Sequence, residues 1–574
     1  MTTLDWLVMG GTLALIIAYG IWRSRGQRDL RGYFLSNNDQ KWWTIGLSIM
    51  ATQASAITFL STPGQGYGDG MRFVQFYFGL PIAMVVIAMV AIPIYRKLNV
   101  YTAYEYLEKR FDLKTRTLGA ILFLLGRGLA AGITIVAPAI ILETLLGWDL
   151  TWTCVGIGVL VMLYTVTGGS KAVSHTQQQQ MAVILIGMFI AGVLMVLKLP
   201  PSVSFGDAIT LAGQSGRLNV ISMPDSFDNF IQDRYNILSG LIAGTFLALS
   251  YFGTDQSQVQ RYLGGKSVSE IRIGLLFNGI FKVPMQFLIL FMGAMMFVFY
   301  QFNPTPMFFN DREVDLVMES PYGAEYQTLS QQYDSLDREK AQTWLAWADM
   351  KVVSDQVSDQ LATQAQGLQA QQDSLREAGV ALMKQRDEDA NIKDQDRVFL
   401  NFVLNHLPIG LVGLLMAVIF SAAMSSTAAE LNALASTTMV DIYQRMIKPD
   451  GSDAHNLLVS RGLTFGWGVL AIIFAITAGR FENLIEYVNI LGSLFYGTIL
   501  GLFVVAFFFK SIGGTATFVG GLVAETVVAA CFFLPMNFPE TFGWLDIGYL
   551  WFNLIGAALV VLVAMLFPRR KPEA

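Results

Sequence analysis

Residues 45–70 of the chain read IGLSIMATQASAITFLSTPGQGYGDG. The stretch starts as an apolar segment, carries Ser, Thr and Gln among its apolar residues, and runs into a proline and four glycines. Such a pattern is typical of a helix that is interrupted inside the bilayer, where unwound carbonyls can coordinate a sodium ion and half-helix ends can face a solute. Close packing through Ala, Ser and Gly is the alternative interpretation.

A second polar stretch lies within a long hydrophobic run, at residues 421–432, which read SAAMSSTAAELN. Neighbouring hydroxyls with a nearby carbonyl offer the hard oxygen ligands that suit a small alkali cation. Serines in a membrane helix also commonly bond back to the preceding turn. Packing explains Glu430 and Asn432 less well, because ionisable groups at membrane depth are costly and usually face a cavity.

The composition of the 574 residues is that of a membrane protein. Hydrophobic residues make up 53% of the chain and charged residues 14%, and the mean hydropathy is +0.49. A soluble chain of this size would carry far more charge. No concentrated basic face is present in the sequence, which argues against a nucleic-acid partner. Cys154 and Cys531 lie in separate apolar runs, which excludes a disulfide framework or a thiolate metal site.

Thirteen segments are apolar enough to cross a bilayer as helices of about 20 residues. They are residues 4–22, 43–63, 73–95, 116–143, 151–169, 178–198, 235–254, 273–301, 402–438, 458–478, 487–509, 514–535 and 546–567. The first is an anchor rather than a cleaved signal peptide, because no basic residue precedes it and four arginines between Arg23 and Arg31 follow it.

Loop charge predicts the orientation of these spans. The predicted inner loops and the tail carry about 20 Lys/Arg, including residues 569–571, whereas the short outer loops carry Arg72, Arg217, Arg234 and Arg480. Because basic residues accumulate on the cytoplasmic side, the N-terminus is expected outside and the C-terminus in the cytoplasm. The predicted location is the plasma (inner) membrane, with the lipid bilayer as a partner; the sequence does not indicate an oligomeric state.

Residues 302–397 differ from the rest of the chain. They contain 18 acidic and 9 basic residues, whereas the remainder contains 25 acidic and 29 basic residues, so the net charge of −5 originates here. The Gln/Asp/Ala-rich part, residues 327–390, is typical of a soluble helical hairpin or a solvated insertion on the outer side. A structural or accessory role is favoured over the docking of a partner.

Several short motifs occur in a fixed order between Trp42 and Tyr443. They are residues 55–59 (SAITF), 102–111 (TAYEYLEKRF), 167–169 (TGG), 253–256 (GTDQ) with 259–261 (VQR), and Ser425-Ser426 with Asn432. Together they resemble the motifs of the sodium:solute symporter family, in particular the sodium/glucose cotransporters.

The resemblance implies an all-α membrane protein with a LeuT-like core of two inverted five-helix repeats. Residue identity alone does not reveal the repeat. The implied organisation is a leading helix with a basic loop at 1–30, a first repeat at 42–200, an external loop at 201–234, a second repeat at 235–510 interrupted by the insertion at 302–397, and two trailing helices with the tail at 511–574.

The resemblance also implies a sodium site on the two polar stretches. Its ligands would be the backbone carbonyls of Ala51, Ala54 and Ala422 and the hydroxyls of Ser425 and Ser426. Some relatives carry an aspartate in the fifth core helix that serves an additional sodium, where this chain has the neutral Gln177. One coupled sodium is therefore expected, although an amide oxygen can still contribute to a second site.

The implied substrate cavity lies beside the sodium site. Its lining would comprise Gln53, Thr58, Gln75, Phe76, Tyr77, Tyr251 and Lys282. The pair Tyr251-Phe252 resembles the aromatic residues that close the inner side of the pocket in sugar-transporting relatives, where a ring stacks on a sugar face. Lys282 matches a sugar-binding lysine of those relatives; its alternative role is snorkelling to the interface.

The expected function is sodium-coupled uptake of a small organic solute, with a sugar favoured. A monocarboxylate, sialic acid or another organic anion is the alternative, because the carboxylate of sugar-binding relatives is replaced near residues 75–77 and residues 94–111 resemble the iodide, monocarboxylate and vitamin branch. A membrane sensor or a channel is a remote alternative. No nucleophile elbow or His-Glu-x-x-His motif occurs in the sequence, so an enzyme is not expected. Arg127, deep in a predicted span, is expected to pair with a neighbouring carboxylate or carbonyl.

Overall fold

The structure is a computed structural model, which describes residues 1–24, 40–98, 100–224, 226–351, 355–388, 390–392, 394–478 and 484–568. Some of the basic residues used to predict the orientation lie outside the described residues. These are Arg25, Arg28 and Arg31 after the first span, the outer-loop Arg480, and the closing residues 569–571.

Helices follow one another along the described part of the chain. Up to residue 302 they are α1 (Thr3–Ser24), α2 (Trp42–Gln53), α3 (Ala56–Asp69), α4 (Leu80–Met89), α5 (Ala91–Leu98), α6 (Tyr104–Arg110), α7 (Leu113–Leu146), α8 (Leu150–Leu197), α9 (Phe205–Gln214), α10 (Phe227–Gln232), α11 (Gly244–Gly253), α12 (Gln256–Leu263) and α13 (Val268–Phe302). The remaining helices are α14 (Asp311–Met318), α15 (Gly323–Met350), α16 (Asp355–Arg386), α17 (Gln395–His406), α18 (Leu411–Thr437), α19 (Asp453–Ala478), α20 (Leu484–Phe508), α21 (Gly514–Asn537), α22 (Pro539–Phe542) and α23 (Trp551–Met565). Segments Gly70–Tyr77 and Gly543–Leu545 are 3₁₀-helical, and Ser239–Ala243 and Thr438–Ile447 are π-helical.

All thirteen predicted spans fall on helices. Within the described residues, eight helical stretches are long and apolar enough to cross a membrane, and four shorter apolar helices accompany them. The shorter ones are Thr3–Ile16, Leu150–Leu163, Ser239–Gly253 and Trp551–Met565. The expected all-α, multi-pass membrane architecture is therefore confirmed.

The structure joins two of the predicted spans and divides a third. The segments predicted at 151–169 and 178–198 belong to one helical element, α8, because no proline between them interrupts the backbone hydrogen bonds. The segment predicted at 402–438 is divided between α17 and α18. Pro408 and Gly410 lie at this division, and Gly410 has a φ of +87°, a conformation that glycine adopts without the steric cost of a side chain.

The predicted interruption of the early span is confirmed, but it does not lie at the proline and the glycines. Helix α2 ends at Gln53 and α3 begins at Ala56, with Ala54 and Ser55 between them in non-helical conformations. Pro63 lies inside α3. The break therefore lies beside Ala51 and Ala54, whose carbonyls were expected to bind sodium, and about two turns before the proline and the glycines.

The glycines of α3 serve close packing instead. A Cβ added at Gly64 would lie 2.1 Å from the carbonyl oxygen of Gln395, and one added at Gly66 would lie 2.4 Å from that of Leu290. A Cβ on Gly293 would likewise lie 2.2 Å from the carbonyl oxygen of Pro63. Small residues let helix backbones approach this closely, so the alternative interpretation holds for this half of the stretch.

The insertion forms a helical hairpin, one of its two predicted forms. Helices α15 and α16 pack along each other, and Lys340 of α15 donates to the Oε1 atom of Gln369 in α16 at 3.0 Å. The hairpin also contacts the rest of the chain, since the side-chain amide of Gln366 donates to the carbonyl oxygen of Gln214 at 3.2 Å. Lys351 forms an ion pair with Asp207. The insertion is thus docked on helix α9.

Candidate functional site

The broken helix and the hydroxyl-bearing helix lie together. Both α2 and α3 pack against α18, so the two polar stretches meet in the core. Ala51 lies in the last turn of α2, where backbone carbonyls lack the following amide that would close a helical hydrogen bond. Ala54 lies between the half-helices. Backbone oxygens of the interrupted helix are therefore available beside α18.

The hydroxyl side of the site consists of two adjacent serines of α18. Ser426 donates through Oγ to the carbonyl oxygen of Ala422 at 2.9 Å, the bond back to the preceding turn that serines in membrane helices commonly make. Ser425 is 2% exposed, and its Oγ has no hydrogen-bond partner among the described residues. An unpaired buried hydroxyl costs about 1–3 kcal/mol, and coordination of a cation would remove that cost.

Gln177 bridges α8 to the half-helix α2. Its Oε1 accepts from the hydroxyl of Ser48 at 2.8 Å, and its Nε2 donates to the hydroxyl of Thr52 at 3.2 Å. The amide is thus engaged in hydrogen bonds that hold the turn of α2 containing Ala51. One turn further along α8, the side-chain amide of Gln180 donates to the carbonyl oxygen of Ser421 at 3.3 Å.

A cavity opens beside this assembly, between the half-helices, α7, α11, α18 and α20. Its lining consists of Thr52, Gln53, Ser55, Ile57, Thr58, Phe76, Tyr77, Arg127, Thr134, Leu247, Tyr251, Glu430, Ile485, Val488, Asn489 and Tyr496. Five of the seven predicted substrate residues are among them: Gln53, Thr58, Phe76, Tyr77 and Tyr251. The N-terminal end of α3, which carries the positive end of its helix dipole, lies at Ser55 in the cavity wall.

Aromatic rings form one side of the cavity. Tyr251 lies 4.8 Å from Phe252 and 5.8 Å from Tyr496 between ring centroids. Phe76 and Tyr77 meet edge to face at 4.8 Å. Such rings present flat apolar faces together with phenolic hydroxyls, a combination that suits a solute with both C–H faces and polar edges.

Arg127, which also lines the cavity, is the centre of a buried ionic cluster next to these rings. Its Nε donates to Asp255 at 3.1 Å and its Nη1 to Glu430 at 3.0 Å, and the guanidinium stacks 5.2 Å from the ring of Tyr251. Tyr496 donates to Asp255 at 3.2 Å. Two carboxylates surround one cation, so the cluster carries one net negative charge in its ionised form. The expected pairing of Arg127 is confirmed.

Two of the predicted substrate residues do not line the cavity. Gln75 is fully buried: its amide donates to the carbonyl oxygens of Arg72 and Tyr235 at 3.2 and 3.0 Å, and its Oε1 accepts from the backbone of Ser222 at 3.1 Å. Lys282 lies behind Tyr77, with its Nζ 5.6 Å from the centre of that ring. Gln75 therefore fixes the backbone here, whereas Lys282 stands one side chain away from the cavity.

The sequence did not assign several lining residues to the cavity. Glu430 is the exception: an ionisable residue inside the membrane is energetically costly and usually faces a cavity, so the sequence predicted its position. Thr134, Asn489 and Tyr496 lie within predicted spans, and no sequence pattern distinguishes them from polar residues that pack between helices.

The family of the chain follows from comparison with known proteins. The model of the sodium:solute symporter family matches residues 33–317 and 378–524. The chain belongs to this family, whose members are sodium-coupled transporters and not enzymes.

Individual relatives match along most or part of the chain. It is 24% identical over 551 residues to the sodium/glucose cotransporter of Vibrio parahaemolyticus, which covers 93% of this chain and 86% of the relative. It is 24% identical over 570 residues to the sodium/sialic acid symporter SiaT of Proteus mirabilis (strain HI4320), covering 97% and 93%. The human sodium/iodide cotransporter is 31% identical over 304 residues, 52% of this chain and 45% of the relative.

A solved structure shares the fold. The outward-open, substrate-bound state of a Na⁺-coupled sialic acid symporter superposes with a TM-score of 0.72, at 22% identity, over 100% of both chains. This similarity confirms the expected LeuT-like transporter fold.

Proposed function

We propose that the protein couples the inward movement of one sodium ion to the uptake of a small organic solute by alternating access. The observation that carries the proposal is the interrupted helix α2–α3 packed against the paired serines of α18. The proposed sodium ligands are the carbonyls of Ala51, Ala54 and Ala422 and the hydroxyls of Ser425 and Ser426. The unpaired Oγ of Ser425 supports this assignment.

The proposed sodium ion would contact both repeats. Its ligands come from the first repeat, through α2, and from the second, through α18, so its binding favours the arrangement in which these helices are together. Each ion moving inward contributes about 2.3 kcal/mol per 100 mV of membrane potential. Rocking of one repeat against the other then exposes both sites to the inside.

A sugar is the proposed solute, and an organic anion is the alternative. Support for a sugar comes from the aromatic wall at Tyr251 and Tyr77 and from the similarity to a sodium/glucose cotransporter along 93% of the chain. Support for the alternative comes from the similarity to a sodium/sialic acid symporter of comparable extent. Gln53, Thr58, Phe76, Tyr77 and Tyr251 are the proposed contacts, with Lys282 behind them.

The proposed topology places the N-terminus and the helical hairpin outside and the C-terminus in the cytoplasm of the plasma (inner) membrane. Loop charge supports it: the predicted inner loops and tail carry about 20 basic residues. The hairpin is highly charged and lies between α13 and α17, which suits a water-exposed position at one end of the transporter.

The test is uptake by purified protein in proteoliposomes, screened over hexoses, sialic acid, short monocarboxylates and amino acids. An inward sodium gradient should drive concentrative, saturable uptake of at least one solute. The double variant Ser425→Ala with Ser426→Ala should abolish the sodium stimulation. Ser436→Ala is the matched control, because Ser436 is a buried serine of the same helix that only bonds back to Ala433 at 3.0 Å. Full sodium-driven uptake by the double variant would refute the site.

A further inference from the structure

A second cavity lies between α1, α7, α8 and α18. Its volume is about 300 Å³, and its lining includes Leu13 of α1, Leu142 of α7, Ile157 of α8 and Phe420 of α18. All four helices contain apolar segments of the membrane-spanning part of the chain. Of its described lining residues, none lines the solute cavity. We call this space the apolar cavity.

The lining of the apolar cavity offers little to a polar ligand. Thr153 carries the one hydroxyl among the ten described lining residues, and this hydroxyl already donates to the carbonyl oxygen of Asp149 at 2.7 Å. The other side-chain N or O atoms of this set are the indole N–H groups of Trp148 and Trp152. A buried water needs two to four polar partners, whereas a dry apolar cavity of about 150 Å³ already binds benzene. The cavity therefore suits a hydrocarbon.

The apolar cavity opens sideways along α8. Trp152, Gly156 and Leu160 line it at intervals of four residues, so they share one face of the helix over about 12 Å. All three are exposed, and the surroundings of an apolar face within a membrane span are acyl chains. Gly156 widens the opening, because a Cβ added there would meet no atom within 4 Å. The opening is comparable in length with one leaflet, about half of the roughly 30 Å hydrocarbon core.

Charged groups stand at one end of the apolar cavity. Trp148 lines the cavity, and the next residue, Asp149, forms a partly exposed ion pair with Arg312 at 2.8 Å. Tryptophan is enriched where hydrocarbon meets water, so this end belongs at the membrane surface on the side of the hairpin. Adjoining positive and negative side chains complement the phosphate and the ammonium of a zwitterionic lipid headgroup, and a guanidinium is well suited to phosphate.

The apolar cavity lies beside a fixed contact between α1 and α18. Asp5 of α1 accepts from the backbone N–H groups of Gly410 and Gly413, at the start of α18, at 2.6 and 3.2 Å. One turn after Asp5, Met9 lines the cavity, and Phe420 lines it from α18. An acyl chain in this space would pack between helices whose ends are already joined. Its dispersion contacts with both helices would strengthen their attachment.

We propose that the apolar cavity binds one acyl chain of a zwitterionic phospholipid from the leaflet on the side of the hairpin, with the headgroup at Arg312 and Asp149. The bound lipid differs from the lipid that covers the surface, because its chain reaches Ile157 and Phe420, which are buried. Its binding stabilises the attachment of α1 to α18. Neither sodium nor the solute takes part, so loss of sodium-driven uptake would leave this site standing.

The experiment is photocrosslinking of the purified full-length protein in vesicles of phosphatidylethanolamine. A trace of phosphatidylethanolamine with a diazirine on its acyl chain is the probe, and the labelled residues are identified by mass spectrometry. The wild type should be labelled at Ile157 and Phe420, and also at Phe189, which is exposed on α8 and reports lipid at the surface. Thermal unfolding in detergent is the second measurement, and added phosphatidylethanolamine should raise the unfolding temperature.

Two variants fill the apolar cavity. Gly156→Leu places a side chain in it without a clash at Cβ, and Leu13→Phe fills the same space from α1. Because overpacking weakens the binding of the chain, each variant is expected to lower the labelling of Ile157 and Phe420 about tenfold. The lipid-induced rise in unfolding temperature should largely disappear, whereas the labelling of Phe189 should not change.

Gly466→Leu is the matched control. Gly466 is also an exposed helical glycine whose Cβ would meet no atom within 4 Å, but it lies on α19 and does not line the apolar cavity. This variant should keep the labelling and the lipid-induced stabilisation of the wild type.

Three results would overturn the proposal. The first is labelling of Phe189 in the wild type without labelling of Ile157 or Phe420, which would show that lipid covers the surface only. The second is unchanged labelling of the two buried residues in the folded cavity-filling variants; if one variant does not fold, the other decides. The third is an equal loss in the Gly466→Leu control. Equal labelling of Ile157 by a probe with the anionic phosphatidylglycerol headgroup would overturn the assignment of the headgroup.

Discussion

Arg127 and Lys282 are both buried cations next to the same cavity, but their surroundings are opposite. Arg127 is held by Asp255 and Glu430 and stacks on Tyr251. Lys282 is fully buried with no hydrogen-bond partner for its Nζ among the described residues, and its Nζ lies over the ring of Tyr77. A cation that already has its counter-charges stabilises the fold, whereas a cation without them is free to bind a ligand. The difference separates the framework of the site from its binding surface.

Removal of the paired cation should have the largest effect. Arg127→Met leaves Asp255 and Glu430 buried without a counter-charge, which is expected to cost about 3–5 kcal/mol of stability. The measurement is thermal unfolding of the purified variant, with the yield of monodisperse protein as a second readout. Arg127→Lys is the control, since it keeps the charge but not the forked geometry, and it should recover part of the loss. A variant as stable as the wild type would show that the cluster is not structural.

Removal of the unpaired cation should spare the fold and affect binding. Lys282→Met replaces a buried ammonium with an apolar side chain of similar length, so unfolding temperature should stay the same or rise. The half-saturating concentration of the transported solute should increase by about tenfold or more, measured by uptake in proteoliposomes. A strong loss of stability with normal solute affinity would show that Lys282 stabilises the fold and does not bind the solute.

The net negative charge of the Arg127 cluster should support sodium binding. Glu430 lies four residues after Ser426 on α18, about one helical turn away. Glu430→Gln removes a charge at this range, and the half-saturating sodium concentration is expected to rise about tenfold. Glu430→Asp keeps the charge and should restore most of the sodium affinity. Equal sodium affinity in Glu430→Gln and the wild type would exclude an electrostatic role for the cluster.

The partly exposed ion pair between Arg312 and Asp149 shows whether burial explains the large loss of stability expected for Arg127→Met. Its atoms lie 2.8 Å apart, but the two side chains are 39% and 42% exposed. The hydrogen bond from Arg312 holds the pKa of Asp149 below its ordinary value. Such a group adds stability above the ordinary aspartate pKa of about 4 and loses it as the pH falls further.

The expected effect of Asp149→Asn, which leaves the contact of Arg312 with the buried Glu143 in place, is therefore small, about 1 kcal/mol or less near neutral pH. Unfolding of this variant and of the wild type, compared at neutral pH and near pH 3, should show a difference that shrinks with acidity. A loss of stability as large as that of Arg127→Met would show that burial does not determine how much such ion pairs stabilise the protein.

The sequence predicted the elements of the site better than their arrangement. Apolar runs identified every span, because a bilayer leaves few other solutions for the backbone. The interruption of the early helix was expected from its polar and small residues, but these residues serve two purposes. Ala54 and Ser55 mark the break, whereas Gly64 and Gly66 allow close packing. A local pattern does not separate the two, because a packing partner such as Leu290 is remote in sequence.

Long-range contacts also decided which substrate residues face the cavity. Gln75 and Tyr77 are two residues apart, and Tyr77 lines the cavity. The side-chain amide of Gln75 instead forms hydrogen bonds with backbone groups of Arg72, Ser222 and Tyr235. Neither residue type nor spacing contains that information. The resemblance to the family supplied what spacing did not by pointing to Tyr251, whereas the polar pattern of residues 421–432 by itself indicated the serine pair of α18.

The docking of the helical hairpin has a mechanical consequence. The segment that returns from the hairpin to the membrane starts with Gln395, whose carbonyl oxygen rests against Gly64 of α3 with no room for even a methyl group between them. Any tilt of that half-helix must therefore carry the base of the hairpin with it. Movement of α3 would therefore be transmitted to the hairpin. A fluorophore attached to the hairpin would report this movement from the aqueous side, and an antibody fragment bound there would restrain it.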